Sequence, residues 1–437
     1  MEISCVNVEN RRGKSFLFLF CCTLAGLLPH FIESPKSFFP AISLSLLLGM
    51  YGVRVVFLGR KNLKNSVSEL LSKQETEQIL PSVDVLVSAR DEEAVVGRLV
   101  TRLAAIKYPK EKINICIIDD GSTDQTPQIL KTLNQEFLNL TVISRPRSSG
   151  GGKSGALNFA LKEVSGEWVF ILDADADFND EILLRLLPFA LNGDWSAVQL
   201  RKAVVNSRQN FLTSCQAMEM AMDALIQQGR QSIGGVAELR GNGALLKRKA
   251  LDKCGGFNEE TVTDDLDLSF RLLISGSSIG ILWDPPIHEE GVENLKALFR
   301  QRQRWAEGGL QRFFDYWPLL TSNKLNSAQH IDLTSFFLLQ YVLPIISFVD
   351  FFASIITKSV PVFWPLSLVA FSMSGLAYFY GCKRRENLGP KIPFPNMLNL
   401  GISIFYLIHW FIVIPLTTIK MALISKKLVW VKTIHKG

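Results

Sequence analysis

The chain has 437 residues, of which 48% are hydrophobic, with a mean hydropathy of +0.19 and a net charge of +6. That hydropathy argues against a wholly water-soluble globule, because the apolar excess sits in runs near both ends with a polar middle between them. The cations flank those runs (Arg11, Arg12, Lys14; Arg60, Lys61, Lys64; Lys383, Arg384, Arg385; Lys426, Lys427). Such placement serves membrane topology and anionic headgroups and argues against a nucleic-acid face. Seven cysteines, none in a CxxC pair, argue against a disulfide framework or zinc site and suit a reducing cytosol.

Residues 15–30 and 37–58 are apolar runs of spanning length. Basic residues before the first and after the second make residues 1–60 a membrane hairpin with both ends in the cytoplasm. A polar linker follows over 61–82. From Val83 the pattern changes. Apolar runs at 83–89, 113–119, 140–144 and 167–172 alternate with helical patterns near 92–106, 125–136, 154–164 and 179–191. Strands separated by helix-length segments predict an α/β fold with a doubly wound, mostly parallel sheet over 83–293, and ligands bind outside the carboxyl ends of such strands. Residues 294–320, rich in Arg, Trp and Phe, read as an amphipathic interfacial segment. Apolar stretches near 333–356, 361–381 and 399–419 predict about three more membrane helices within 331–425. Three crossings place the basic tail, 426–437, outside, against the charge rule, unless one segment is interfacial or re-entrant. Asp350 and His409 fall inside these stretches and read as structural, Asp350 near a helix end and His409 packed between helices.

Four polar groups stand at or after the predicted strands. Asp119-Asp120-Gly121-Ser122-Thr123-Asp124 ends the second. A carboxylate there suits a ribose or base, and the same residues suit a turn or helix cap. Asp173-Ala174-Asp175 follows the fourth. Two hard carboxylates at alternate positions suit Mg2+ or Mn2+ bridging a diphosphate, with Asp177 an outer member or a loop residue. Thr263-Asp264-Asp265-Leu266-Asp267 opens a helical pattern, where acids complement the macrodipole and one can serve as general base. In Gln301-Arg302-Gln303-Arg304-Trp305, Arg304 suits a phosphate and Trp305 a sugar or glycerol face. Ser149-Gly150-Gly151-Gly152-Lys153-Ser154 imitates a P-loop, but position 147 is Arg where the pattern requires glycine. Its backbone N–H groups and Lys153 still suit phosphate contact.

In this order the motifs resemble the D, D, D, Q-x-x-R-W pattern of family 2 inverting glycosyltransferases with the GT-A fold, across roughly 83–317. The resemblance implies that Asp120 contacts the nucleoside and that Asp173 and Asp175 hold the diphosphate and its Mg2+ or Mn2+. It makes Asp265 the base and has Gln301, Arg304 and Trp305 shape the site between diphosphate and acceptor. Ser88-Ala89-Arg90-Asp91-Glu92-Glu93 resembles the family's first nucleotide-binding loop, with Glu93 on the base. Longer strings (GGKSGALN, AVQLRKAVVN, IGGVAELRGNGALLKR, NEETVTDDLDLSFRL, EEGV, QRQRWAEGGLQRFFDYW) are similar to the diacylglycerol-glucosylating members of the family found in cyanobacteria. That similarity implies transfer of glucose from UDP-glucose to the 3-hydroxyl of 1,2-diacylglycerol, with inversion, on the cytosolic face of a plasma or thylakoid membrane. Where processive relatives carry a Phe-Cys-Gly-Ser-like stretch, this chain has Arg240-Gly241-Asn242-Gly243-Ala244, which fits a single transfer to a lipid. The competing expectation is a processive β-glycan synthase that threads its product between the membrane helices. A transporter with a nucleotide-sensing domain fits less well, because intramembrane charge is sparse and the membrane segments do not repeat.

Overall fold

The computed structural model describes residues 10–32, 36–61, 80–384 and 389–424. Most of the linker expected over 61–82 and the basic tail 426–437 lie outside the described residues. One sheet of seven strands forms the middle: β1 Val83–Ala89, β2 Ile113–Asp119, β3 Leu140–Ser144, β4 Trp168–Leu172, β5 Ala197–Val204, β6 Ala244–Lys247 and β7 Ile279–Glu289. Their spatial order is β3-β2-β1-β4-β6-β5-β7. All run parallel except β6, which is antiparallel to both β4 and β5. The four strands expected before residue 175 form almost where the apolar runs lie. β5, β6 and β7 carry no assignment from the sequence.

The strands are apolar throughout because both faces of the sheet are covered. Successive residues of β1 alternate between two cores. Val83, Val85 and Val87 meet Leu99, Leu183 and Leu186 of the helices Val96–Ala104 and Ile182–Asn192. Leu86 points the other way, to Ala156 and Leu157 of Gly152–Ala160 and Leu268 of Asp264–Ile274. Strand order reverses between β1 and β4, and in an open parallel sheet this is where a crevice forms beyond the strand ends. β1 ends at Ala89, β2 at Asp119, and β4 immediately before Asp173.

Five helices are long and apolar enough to cross a membrane: Arg11–Phe31, Lys36–Lys61, Ser327–Thr357, Trp364–Lys383 and Met397–Leu423. The Phe211–Ser232 helix of the sheet domain lies against two of them. A Cβ on Gly59 would fall 2.5 Å from the Leu225 carbonyl, and one on Gly381 2.7 Å from that of Ala221, so glycine permits both approaches. At the far end of the bundle, Asp350 accepts hydrogen bonds from the N–H groups of Val362 and Phe363 at 2.8 and 2.9 Å and meets His30 Nε2 at 2.8 Å. Asp350 thus starts the next helix, although it sits within Leu343–Thr357 and not near a helix end. His409 packs between Tyr406 and Trp410.

Two segments differ from expectation. The Leu295–Asp315 helix does not lie with one face open. Gly308 through Asp315 are all buried, since Gly308 and Gly309 leave room for Thr263 and Tyr341 to press against its backbone. The last helix runs alongside it. Tyr406 and Trp410 reach the Arg302 region, Val413 and Ile414 share an apolar cluster with Ala306 and Leu310, and the Ala422 carbonyl accepts from Arg12 Nε at 3.1 Å. Arg11, next in sequence, binds Asp315 through Nε and Nη2. The middle and the C-terminal end of the last helix therefore lie beside the Leu295–Asp315 helix and the start of the first helix. In sealed vesicles with the sheet domain outward, Ile424→Cys should react with a membrane-impermeant maleimide well above the unsubstituted chain. Reaction only in vesicles of the opposite orientation would show that this helix crosses.

Candidate active site

A cavity of about 1170 Å³ opens beyond the carboxyl ends of β1 and β4 and continues between the membrane helices. Its walls bring together Lys153, Asp173, Asp175, Asp264, Asp265, Gln301, Arg304 and Trp305. These residues are scattered over more than 150 positions, and only the fold assembles them.

Asp173 and Asp175 turn off the end of β4. The Asp173 N–H donates to Asn242 Oδ1 at 3.1 Å, tying it to the loop before β6. Lys153, in the first turn of Gly152–Ala160, places Nζ 2.5 Å from Asp173 Oδ1. Burial works against ionisation of Asp173. The adjacent Lys153, with Lys202 and Arg304 behind it, overcomes that and holds the carboxyl below its ordinary range. Lys153 therefore serves a carboxylate in the absence of ligand, not an open phosphate cradle. Among the described residues, no three His, Cys, Asp or Glu side chains converge as a complete metal site. Two carboxylates at one cavity wall still fit a hard divalent ion, which takes its remaining oxygens from a diphosphate and water.

Asp265 sits in the first turn of Asp264–Ile274. Burial raises its pKa, neighbouring Asp264 raises it further, and Lys202 acts in the opposite sense. Gly241, with φ 81°, adopts a conformation that L side chains resist, and even a Cβ there would lie 3.5 Å from Asp265 Oδ2. Asp267 is structural. It accepts from Asn258, Tyr316 and Arg271 at 2.9, 2.9 and 2.7 Å. Asp177 stands outside this cavity, ion-paired to Arg102 at 2.8 Å.

In the Leu295–Asp315 helix, Arg304 makes no ion pair among the described residues, and Gln301 Oε1 is buried with no hydrogen-bond partner. A cavity wall that keeps a guanidinium unpaired and an amide oxygen unsatisfied is suited to a polar ligand. Trp305 is less free than the sequence suggests. The Arg302 guanidinium stacks over its ring at 4.0 Å and Lys202 Nζ stands 5.8 Å from it. Arg302 is fully buried and donates to Glu219 at 2.5 Å, and Glu219 also accepts from Tyr406 and Trp410 of the last helix.

Glu93 and Asp120 are not on the cavity wall. Asp120 is buried against Arg145, with Nε 2.6 Å away. Glu93 accepts from the Gln125 N–H at 2.9 Å, and its own N–H donates to Asp124. The loop after β1 and the loop after β2 are thus laced together by the acids that the sequence singles out. Glu92, the neighbour of Glu93, reaches the cavity instead. Sequence reasoning gave Lys202 and Glu289 no role, and read Arg240 only within the stretch that departs from processive relatives. Lys202 and Glu289 pair at 2.9 Å where β5 and β7 end. A lysine inside the apolar run of β5 is the one signal that points to this pair.

A model of glycosyltransferase like family 2 matches residues 81–308. The chain belongs to glycosyltransferase family 2. Its relatives include the beta-monoglucosyldiacylglycerol synthase of Trichormus variabilis, 38% identical over 98% of this chain and 90% of that one. The synthase of the same name from Synechocystis sp. is 43% identical over 81% of this chain and 75% of its own. Among solved structures, the mannosyltransferase PcManGT from Pyrobaculum calidifontis, in complex with GDP-Man and Mn2+, superposes with a TM-score of 0.53. That match covers 85% of this chain and 99% of the other at 19% identity, and it shows the fold alone. The fold of this family 2 enzyme is GT-A, with apolar helices at both ends.

Removing one partner of a buried ion pair costs about 3–5 kcal/mol. Glu219→Gln should therefore lower stability by about that amount, read from thermal unfolding in detergent, and lower turnover as the Arg302–Trp305 stack loosens. An unchanged unfolding midpoint would show that stacking alone holds Arg302.

Proposed function

We propose that this glycosyltransferase moves glucose from UDP-glucose to the 3-hydroxyl of 1,2-diacylglycerol in one inverting displacement, giving a β-glucoside. The carrying observation is the placement of Asp265, a half-buried carboxyl with raised pKa, on the same cavity wall as Asp173, Asp175, Lys153 and Arg304. The 38–43% identity to enzymes named beta-monoglucosyldiacylglycerol synthase supports the sugar and the acceptor. Asp265 takes the proton of the glycerol hydroxyl as its oxygen forms the bond to the anomeric carbon. The bond from that carbon to the diphosphate breaks on the opposite face. Negative charge grows on the departing UDP, where Arg304, with no ion pair among the described residues, stands near Lys153 and Lys202. Asp173 and Asp175 would hold a Mg2+ or Mn2+ ion, which when bound neutralises the diphosphate. Gln301 and Trp305 border the donor and acceptor. Glu93 and Asp120 act at one remove, by fixing the loops that receive the nucleoside. The cations at the start of the first helix and at the end of the second orient the sheet domain toward the cytosol of a plasma or thylakoid membrane.

A base works only when deprotonated. Raising its pKa therefore brings the acid limb of kcat/KM above the ~3.9 of an ordinary aspartate, and activity falls as pH drops through that value. Asp265→Asn should abolish this limb and reduce kcat by about 10²–10⁴-fold. A variant that keeps full turnover would remove the assignment. The reaction itself is tested with purified protein in diacylglycerol micelles, Mg2+ and labelled UDP-glucose, UDP-galactose or UDP-N-acetylglucosamine. One labelled glycolipid from UDP-glucose, absent with Asp175→Ala, is expected. Label only in immobile polymer would instead assign a glycan synthase, and label from another donor would change the sugar.

A further inference from the structure

The cavity does not end where the chemistry does. At about 1170 Å³ it exceeds the ~300–1,000 Å³ typical of a site for one small ligand. Beyond Asp265 it passes Arg240, which is ion-paired to Asp223 at 2.9 Å and to Glu238 at 3.1 Å. All three of these residues line the wall, and so do Glu219, held by Arg302, and Arg312, which pairs with Glu238 at 2.7 Å. Further on, the lining comes from four apolar helices: Leu48 and Val55, Leu339, Val369 and Met373, and Phe411.

We infer that this membrane-depth end of the cavity binds the acyl chains of the acceptor lipid, which is glucosylated with its chains still inside the protein. The inference rests on the proposed reaction and adds a site to it. Gly241, next to Arg240 in the chain, faces Asp265, so an acceptor hydroxyl at the base has the rest of its molecule directed past Arg240. That remainder must tolerate walls of Leu, Val, Met and Phe. A glycan would leave hydroxyl groups unpaired there. Hydrocarbon chains lose nothing there, since such walls are as apolar as the bilayer they leave. Tyr51, Gln340 and Ser374 are among the polar exceptions, too few for a sugar path and sufficient for ester groups.

The test uses the full chain in lipid nanodiscs and diacylglycerol carrying a diazirine midway along one acyl chain. After irradiation, peptide mapping should find label at Leu48, Val55, Leu339, Val369 or Phe411, competed by unlabelled diacylglycerol. Label confined to Leu46, Leu47 and Met50, which face outward on the same helix with 60–65% exposure, would overturn the site. A second arm compares acceptors. Leu339→Trp should raise KM for a dioleoyl acceptor about tenfold more than for a dihexanoyl one, because the added bulk crowds a chain long enough to reach that wall. An equal change for both acceptors counts against the site. Labelling reads occupancy and not turnover. A chain labelled at Val55 that makes no glycolipid keeps the lipid site and loses the reaction. One that makes glycolipid but is labelled only on its outer face keeps the reaction and loses the site.

Discussion

Glu238 is completely buried, and three guanidinium groups converge on its carboxylate. Arg312 stands at 2.7 Å, Arg240 at 3.1 Å and Arg230 at 3.3 Å. Arg230 continues to Asp332, which also accepts from the Tyr51 hydroxyl at 2.7 Å and the Val236 N–H at 2.9 Å. Burial alone would push the Glu238 carboxyl up, and the three arginines instead bring it down to about 2. Each charge removed from water costs several kcal/mol unless it is paired with good geometry. The network therefore exists only when the second membrane helix, the Phe211–Ser232 helix, the Leu295–Asp315 helix and the helix carrying Asp332 are all in place. It is the weld between a sheet domain and a membrane bundle that share little continuous chain.

That weld explains how a cavity can cross from one medium to the other. A loop on a membrane surface could hold Asp265 near lipid, but not at a fixed depth. Here Arg240 belongs to the weld and is followed directly by Gly241, which faces Asp265. A second junction does similar work from the other side. Glu219 gathers Arg302, Tyr406 and Trp410, so the helix bearing Gln301, Arg304 and Trp305 is held by the last apolar helix as well as by the sheet domain. Parts of the site that differ in solvent are thus fixed by the same buried charges.

The sequence made legible whatever depends on local pattern. The acids Asp173 and Asp175 could be read because an apolar run stops abruptly before them, and Asp265 because it opens a helical pattern. The five apolar helices could be read by length. What stayed hidden depends on pairing across the chain. Nothing near Asp120 announces that Arg145 will claim it, and nothing near Glu93 announces the Gln125 N–H. β6 has four residues and runs against its neighbours, too short for any periodicity to be distinctive. The enclosure of Leu295–Asp315 was hidden for a related reason. Its alternation of Arg and aromatic residues fits a helix lying on a membrane, whereas two glycines decide that other elements close over it.

The charge on the cavity walls sets a condition on traffic through it. Lys153 is matched by Asp173, Lys202 by Glu289, and Arg240 by Asp223 and Glu238, and carboxylates outnumber cations along the lining. A nucleoside diphosphate is itself an anion. Under the proposed reaction it enters among more carboxylates than cations, and a divalent ion bound with it lowers that repulsion. Polyphosphates and inorganic anions arriving without such an ion are disfavoured by the same excess of carboxylates, before any contact with sugar or base.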